Sequence, residues 1–156
     1  MEKIEVIIGD IFNEEHQKAM ISLLDDYMQD PMGGVGPISD ELARRVVEGL
    51  KLQTNYLFFL AISNGEYAGL ANCYINFSTF KAKQYINIHD FTVSSLFRKK
   101  GIGKKLMEAV LAYAEAKGFS KVNLEVRYDN SAAQALYKSS GFADGNPPMY
   151  FWERYF

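Results

Sequence analysis

The segment Arg98-Lys99-Lys100-Gly101-Ile102-Gly103-Lys104-Lys105 gathers 5 of the chain's 17 basic residues around two glycines. Glycine lets backbone N–H groups converge on one point, a helix N-terminus adds partial positive charge, and flanking cations extend that field. The chemistry implied is a cradle for phosphate or pyrophosphate, set against a plainer alternative, a helix start with solvated charges. Two other phosphate motifs fail on their residues. A P-loop needs glycine at position 98 and Ser or Thr at 105, where the chain has Arg98 and Lys105, and a dinucleotide fingerprint needs glycine or alanine where Leu106 stands. No His, Cys, Asp or Glu cluster has metal-site spacing, so no metal is expected. Cys73, the only cysteine, lies mid-strand among apolar neighbours, where a thiol is packing rather than a nucleophile.

The elements that must position this loop are legible as changes of period. Ile4, Val6 and Ile8 alternate as a short strand requires. Asn13 caps a helix with Glu14 and Glu15 in its first turn and Ala19, Met20, Leu23, Leu24 and Tyr27 on one face, ending near Asp30. The glycine- and proline-punctuated loop Pro31 to Pro37 precedes a second helix capped by Ser39. Tyr56 to Ile62 reads as a strand buried on both faces, Asn64-Gly65 as its hairpin turn, Tyr67 to about Ile75 as the return, and Gln84 to Val93 as a third antiparallel strand. Ile102, Leu106, Val110 and Ala114 mark a helix stopped by Gly118, and Lys121 to Arg127 alternates as a strand. Ser131 and Gln134 form a capping box for a helix reaching Gly141, and the aromatic run Met149 to Phe156 reads as a last strand. The expectation is one mixed α+β domain over 1–156. Its central mixed sheet has six to seven strands, antiparallel first and then parallel after the helix crossovers, flanked by about four helices.

Two blocks of residues carry a resemblance. Arg98, Gly101 and Gly103 match Arg or Gln, two residues, Gly, one residue, Gly or Ala; Val122-x-Leu124-x-Val126, Asn130-x-x-Ala133-x-x-Leu136-Tyr137 and Gly141-Phe142 follow in order. In these the chain resembles the GNAT superfamily of acyl-CoA-dependent N-acetyltransferases. The likeness covers residues 56 to 142 well and the first 50 by topology. It implies a GNAT-like sheet that turns parallel at the cofactor side, with acetyl-CoA as co-substrate. Backbone N–H groups of Arg98, Lys99, Lys100, Gly101, Ile102, Gly103 and Lys104 would hold its pyrophosphate. Phe91 and Val93, in the stretch Phe91-Thr92-Val93 facing the thioester, would bind its carbonyls by main chain, and Asn130, Ala133 and Tyr137 would line the rest of its arm.

Acetyl transfer needs a neutral amine, whose ordinary pKa of about 10.4 leaves it protonated at neutral pH, so a base is expected beside the acetyl carbonyl. His89 and Asp90 stand just upstream of Phe91. Through Tyr85-x-x-x-His89-Asp90-Phe91-x-Val93 the chain resembles polyamine-type members, in which a Glu at the position of His89 usually acts as base; here either His89 or Asp90 fills the role. The resemblance makes Tyr137 the general acid that meets the departing thiolate, and the Val93 N–H the donor to the carbonyl oxygen. The implied function is acetyl transfer to a primary amine of a small molecule, directly in a ternary complex. The competing one is a silent acyl-CoA-binding or regulatory module on the same fold. The acceptor's identity stays open.

The charge pattern bounds the partners. Nineteen acids and 17 bases give a net −2, which argues against a general nucleic-acid binder, but residues 1–50 carry a net −7 and the remainder a net +5. Asp25, Asp26, Asp30, Asp40 and Glu41 would either draw a cationic amine or form a solvated helix face. The longest apolar run, Tyr56 to Ile62, is too short to span a membrane, and Met1 to Glu5 shows no leader pattern. A single cysteine excludes an internal disulfide and makes the reducing cytoplasm the expected compartment. The aromatic tail and the family resemblance point to a homodimer.

Overall fold

The computed structural model describes residues 3–156; Met1 and Glu2, part of the stretch read as lacking a leader, lie outside them. The elements in order are β1 (Ile4–Ile8), α1 (Glu14–Gln29), α2 (Asp40–Lys51), β2 (Tyr56–Ser63), β3 (Glu66–Ser78), β4 (Lys83–Val93), a 3-10 turn (Ser95–Phe97), α3 (Ile102–Ala116), β5 (Val122–Leu124) and α4 (Ser131–Ser139). The five strands pair in sequence order. β1 to β4 are antiparallel, and β5, returned by the α3 crossover, is parallel to β4.

Local chemistry sets the boundaries. Asn13 and Ser39 cap α1 and α2, accepting from the N–H groups of His16 and Leu42 at 3.1 Å each. Asn64 and Gly65, both at positive φ, close the β2–β3 hairpin with Ser63 opposite Glu66. At α4 the cap is Asn130, whose side chain accepts from Ala133 N–H at 3.1 Å, rather than Ser131. Gln134 does not complete a capping box; its amide donates to the carbonyls of Arg127 and Tyr128 and ties down the preceding loop.

The sheet carries a separate core on each face. Phe58, Leu60 and Leu70 pack with Ala19, Met20 and Leu23 of α1, joined by Val46, Val47 and Leu50 of α2. On the other face Leu57, Phe59, Ala71, Cys73, Ile86 and Ile88 pack with Ile102, Leu106, Met107 and Val110 of α3 and with Tyr137 of α4. The segment Met149 to Phe156 corrects the sequence reading. It forms no strand, so the sheet has five strands rather than six to seven, and Met149, Tyr150, Phe151, Trp152, Tyr155 and Phe156 all stay exposed. Alternating aromatics favour strand, but a strand needs a partner row of backbone groups, and the neighbouring edge, β5, is only three residues long.

One irregularity positions the site. The β3–β4 register runs Asn72↔Asp90 but Cys73↔Ile88, so His89 is an extra residue on β4. Such a bulge breaks the two-residue alternation. Ile86 and Ile88 face α3 before it, and after it the residues packed on that face are Phe91 and Val93. Asp90 therefore turns to the α1 side, opposite Asn72.

Candidate active site

Strands β4 and β5 pair only from Ile86↔Val122 to Ile88↔Leu124. Beyond Ile88, β4 continues to Val93 with no partner on that side, and the two strands part there. Which groups face the gap follows from the ladder. The Ser94 N–H donates to Ala68 O on β3 at 2.9 Å, and N–H directions alternate along a strand, so the N–H groups of Phe91 and Val93 point away from β3, into the gap. The Val93 carbonyl, on the same side, accepts from Arg98 Nε at 3.0 Å. Its N–H is left facing the opening. Thr92, buried opposite Leu70, corrects the sequence reading: its side chain faces the α1 core and its N–H, like that of Ser94, points to β3, so it offers nothing to the gap.

The glycine loop lies at the wide end of this gap. Lys99 (φ 62°) and Gly101 (φ 81°) both adopt left-handed backbone, and the turn delivers the chain into α3. α3 has no side-chain cap, and its first intrahelical acceptor, Gly101 O, serves Lys105 N–H at 3.1 Å. The N–H groups of Ile102, Gly103 and Lys104 thus lack helical partners. A Cβ at Gly103 would stand 3.2 Å from Leu136 of α4, 3.6 Å from Val93 and 3.9 Å from Phe91, so α3, α4 and the end of β4 converge at this residue. Orphan donors, a positive helix end and a glycine whose missing Cβ leaves room between α3 and α4 fit a pyrophosphate and its pantetheine arm.

Tyr137 stands beside Phe91, ring edge to face at 5.9 Å, with Phe142 at 6.0 Å. Burial, then the nearby Tyr27, pushes its phenol up to about 12, so at neutral pH it carries its proton. Asn130 and Ala133 share the first turn of α4, where Asn130's side-chain oxygen is engaged as the cap.

On the α1 side the bulge brings His89 and Asp90 onto one face. His89, exposed, meets the Tyr74 ring edge to face at 5.5 Å; Asp90 Oδ2 accepts from Asn72 Nδ2 at 3.0 Å. Asn72 in turn accepts from the Tyr56 hydroxyl at 2.6 Å. The phenols of Tyr27, Tyr56 and Tyr74 are all pushed up, by burial first, with the Asp90 carboxylate among the further causes at each. Tyr27 is felt by Tyr137 and itself feels Asp90, so it sits electrostatically between the two. Sequence reading assigned Tyr27 to the helix face and passed over Tyr56 and Asn72. The available signal was Asn72, the one side-chain amide inside the apolar run Gly69-Leu70-Ala71-Asn72-Cys73.

Three acidic residues of the first 50 hold loops. Asp25 accepts from Ile38 N–H at 2.8 Å, Asp26 from Ser95 N–H at 3.3 Å, and Asp30 from Met32 N–H and the Arg98 guanidinium. A bidentate pair with Asp129 orients Arg127, which also donates to Met32 O at 3.2 Å. The 30–36 loop is thus tied both to the segment after β4 and to the segment after β5.

The sequence profile of the acetyltransferase (GNAT) family matches residues 14–142, and the chain belongs to that family. The uncharacterized N-acetyltransferase YhfO of Bacillus subtilis is 30% identical over 88 residues, covering 56% of this chain and 59% of that protein. The uncharacterized N-acetyltransferase MJ1207 of Methanocaldococcus jannaschii is 33% identical over 56% of this chain and 39% of its own length. The chain therefore spans less than two thirds of the length of these relatives. The fold is shared end to end with solved structures. A probable acetyltransferase superposes with a TM-score of 0.84 at 18% identity over 97% of both chains. An aminoglycoside acetyltransferase from an uncultured soil metagenomic sample, in complex with sisomicin, superposes with a TM-score of 0.79 at 19% identity over 97% of this chain and 96% of that one. The aminoglycoside N-acetyltransferase AAC(6')-Iy, in complex with CoA, gives 0.75 at 16% identity over 99% and 97%. Among the described residues no helix is long and apolar enough to cross a membrane.

Proposed function

We propose that the chain is an acetyl-CoA-dependent N-acetyltransferase acting on a primary amine of a small molecule by direct transfer in a ternary complex. The observation that carries this reading is the convergence at the β4–β5 gap of the outward N–H groups of Phe91 and Val93, the uncapped start of α3 and the protonated Tyr137. The CoA bound in one neighbour and the sisomicin bound in another support it by analogy of fold.

Acetyl-CoA would supply the activated thioester. Main-chain N–H groups from Arg98 to Lys104 would hold its pyrophosphate, and Asn130 and Ala133 would flank its arm. The Val93 N–H would meet charge developing on the carbonyl oxygen. The ammonium would lose one proton to Asp90 or His89, its nitrogen would bond to the acetyl carbon, and as the carbon–sulfur bond breaks Tyr137 would give its proton to the sulfur while the second proton of the acylated nitrogen restores the phenol. Release of free thiol from acetyl-CoA, measured against a panel of primary amines, tests the reading. Binding of coenzyme A without release for every amine would support a silent acyl-CoA-binding module instead.

The partner we propose is a second copy of this chain, in a reducing cytoplasm. Five exposed aromatic side chains in the tail, at about 150–250 Å² each, would bury on the order of 1,500–2,500 Å² if two copies exchanged tails, the range of a stable interface. Analytical ultracentrifugation of the full chain and of a chain ending at residue 147 decides it: dimer for the first, monomer for the second.

A further inference from the structure

Three residues on three neighbouring strands form a directed hydrogen-bond chain that the proposed transfer does not by itself require. Tyr56 on β2 donates its hydroxyl to Asn72 Oδ1 at 2.6 Å, and Asn72 on β3 donates its amide to Asp90 Oδ2 at 3.0 Å. Asn72 is 5% exposed, and the Tyr56 ring is fixed by stacking on Phe58 at 5.2 Å and 11° and by Tyr74 at 5.9 Å. A carboxamide has a donor end and an acceptor end of nearly the same shape, so something must choose which end faces the carboxylate. The carboxylate, which only accepts, makes that choice, and the Tyr56 hydroxyl holds it by donating to the amide oxygen. Bound to its phenol proton, the Asn72 oxygen points to β2, and the NH2 group must point to β4. The reversed amide would set its oxygen against the Asp90 carboxylate.

We propose that Tyr56 and Asn72 are positioning residues for Asp90: the phenol locks the amide so that it donates to Oδ2, fixing the orientation of the carboxylate and leaving Oδ1, which accepts no hydrogen bond among the described residues, to receive the proton of an incoming ammonium. This rests on the proposed transfer, and within it on Asp90 as the base. It favours Asp90 over His89, whose contact is an aromatic edge with no hydrogen bond among the described residues. The bulge at His89 makes the arrangement possible, because an unbroken alternation would put Asp90 on the α3 face with Ile86 and Ile88.

The titratable groups that face this carboxylate are His89 on its own strand, Tyr74 on β3, Tyr56 on β2, and Tyr27 on α1, the last flanked by Asp30 and Arg127; Cys73 feels its charge from the opposite face of the sheet. Two near-isosteric variants separate a positioning role from a structural one. Tyr56→Phe removes the donor to the amide oxygen; Asn72→Asp replaces the amide with a second carboxylate. In NMR of the chain without cofactor, the Asn72 side-chain amide protons should exchange with solvent at least about tenfold faster in Tyr56→Phe than in the parent. In thiol-release assays the kcat with amine should fall on the order of 10- to 100-fold in both variants, while KM for acetyl-CoA changes less than about threefold. Unchanged amide exchange in folded Tyr56→Phe overturns the lock. Faster exchange with no turnover by the parent chain on any amine upholds the lock and overturns the transferase reading. Faster exchange with unchanged kcat overturns the catalytic use of Asp90.

Discussion

The guanidinium of Arg98 bridges two elements at once, donating from Nη2 to Asp30 Oδ2 at 2.7 Å and from Nε to Val93 O at 3.0 Å. It thereby fastens the C-terminal end of α1 to the last residue of β4. The first residue of the family's glycine signature is thus spent on the frame around the gap, and its side chain is turned away from the phosphates its backbone is proposed to hold.

That bridge has a signed pH dependence. The Met32 N–H on Oδ1, and then Arg98, hold the Asp30 carboxyl below the usual carboxylate range. A carboxyl depressed on folding adds stability that is full above its unfolded value of about 3.9 and is lost as pH falls through the folded value. With Arg98's side chain 45% exposed, the ion pair contributes about 1 kcal/mol or less. Asp30→Asn should melt about 1–3 °C below the parent at pH 7, and the gap should narrow as the pH is lowered past the unfolded carboxyl's range. Thermal denaturation followed by circular dichroism across an acid pH series checks this; a gap that does not narrow in acid would mean the carboxylate's charge is not what matters.

Tyr137→Phe removes a proton that burial keeps in place across the neutral range. Turnover should fall by about 10²- to 10³-fold while the calorimetric affinity for coenzyme A stays within about threefold. Equal losses in both would recast Tyr137 as a wall of the arm.

The two loop glycines should separate conformation from space. Gly101 has left-handed backbone, and no atom lies within 4 Å of the point a Cβ would occupy, so Gly101→Ala meets strain alone and should cost about 1–2 kcal/mol. Gly103 lies in the first turn of α3, and its added methyl would press on the flexible Leu136 tip at 3.2 Å. Gly103→Ala should leave stability within about 1 kcal/mol and weaken coenzyme A binding by narrowing the cleft between α3 and α4. Denaturant melts and calorimetric titration with coenzyme A distinguish the two.

Burial, then the Asp90 charge, pushes the Cys73 thiol up to about 12. The native chain should therefore show no fast thiol toward a disulfide reagent at pH 8, and one after denaturation. A rapid native reaction would mean that the β3 core opens on the assay's timescale.

Much of this was legible beforehand because the signals were local. The caps at Asn13 and Ser39, the Asn64-Gly65 turn and the glycine loop each depend on a few adjacent residues. What escaped depended on distant partners. The extra residue at His89 is visible only against the β3 register, and the Tyr56–Asn72–Asp90 chain spans 34 positions that no spacing rule connects. The tail shows the converse error, since strand-like residues do not make a strand without an edge to join. Of the acidic residues read either as a field for an amine or as a solvated helix face, Asp25, Asp26 and Asp30 also make contacts that no spacing rule announced.

The single inserted residue on β4 also makes the chain more sensitive to changes of length than of identity. Deleting His89 would roll everything from Asp90 to Val93 by half a turn about the strand, sending a carboxylate and a threonine into the packing under α3 and two apolar side chains out toward α1. The backbone donors at the gap would reverse with them. Substitutions here tune one contact at a time, whereas one codon lost would exchange the two faces of this segment.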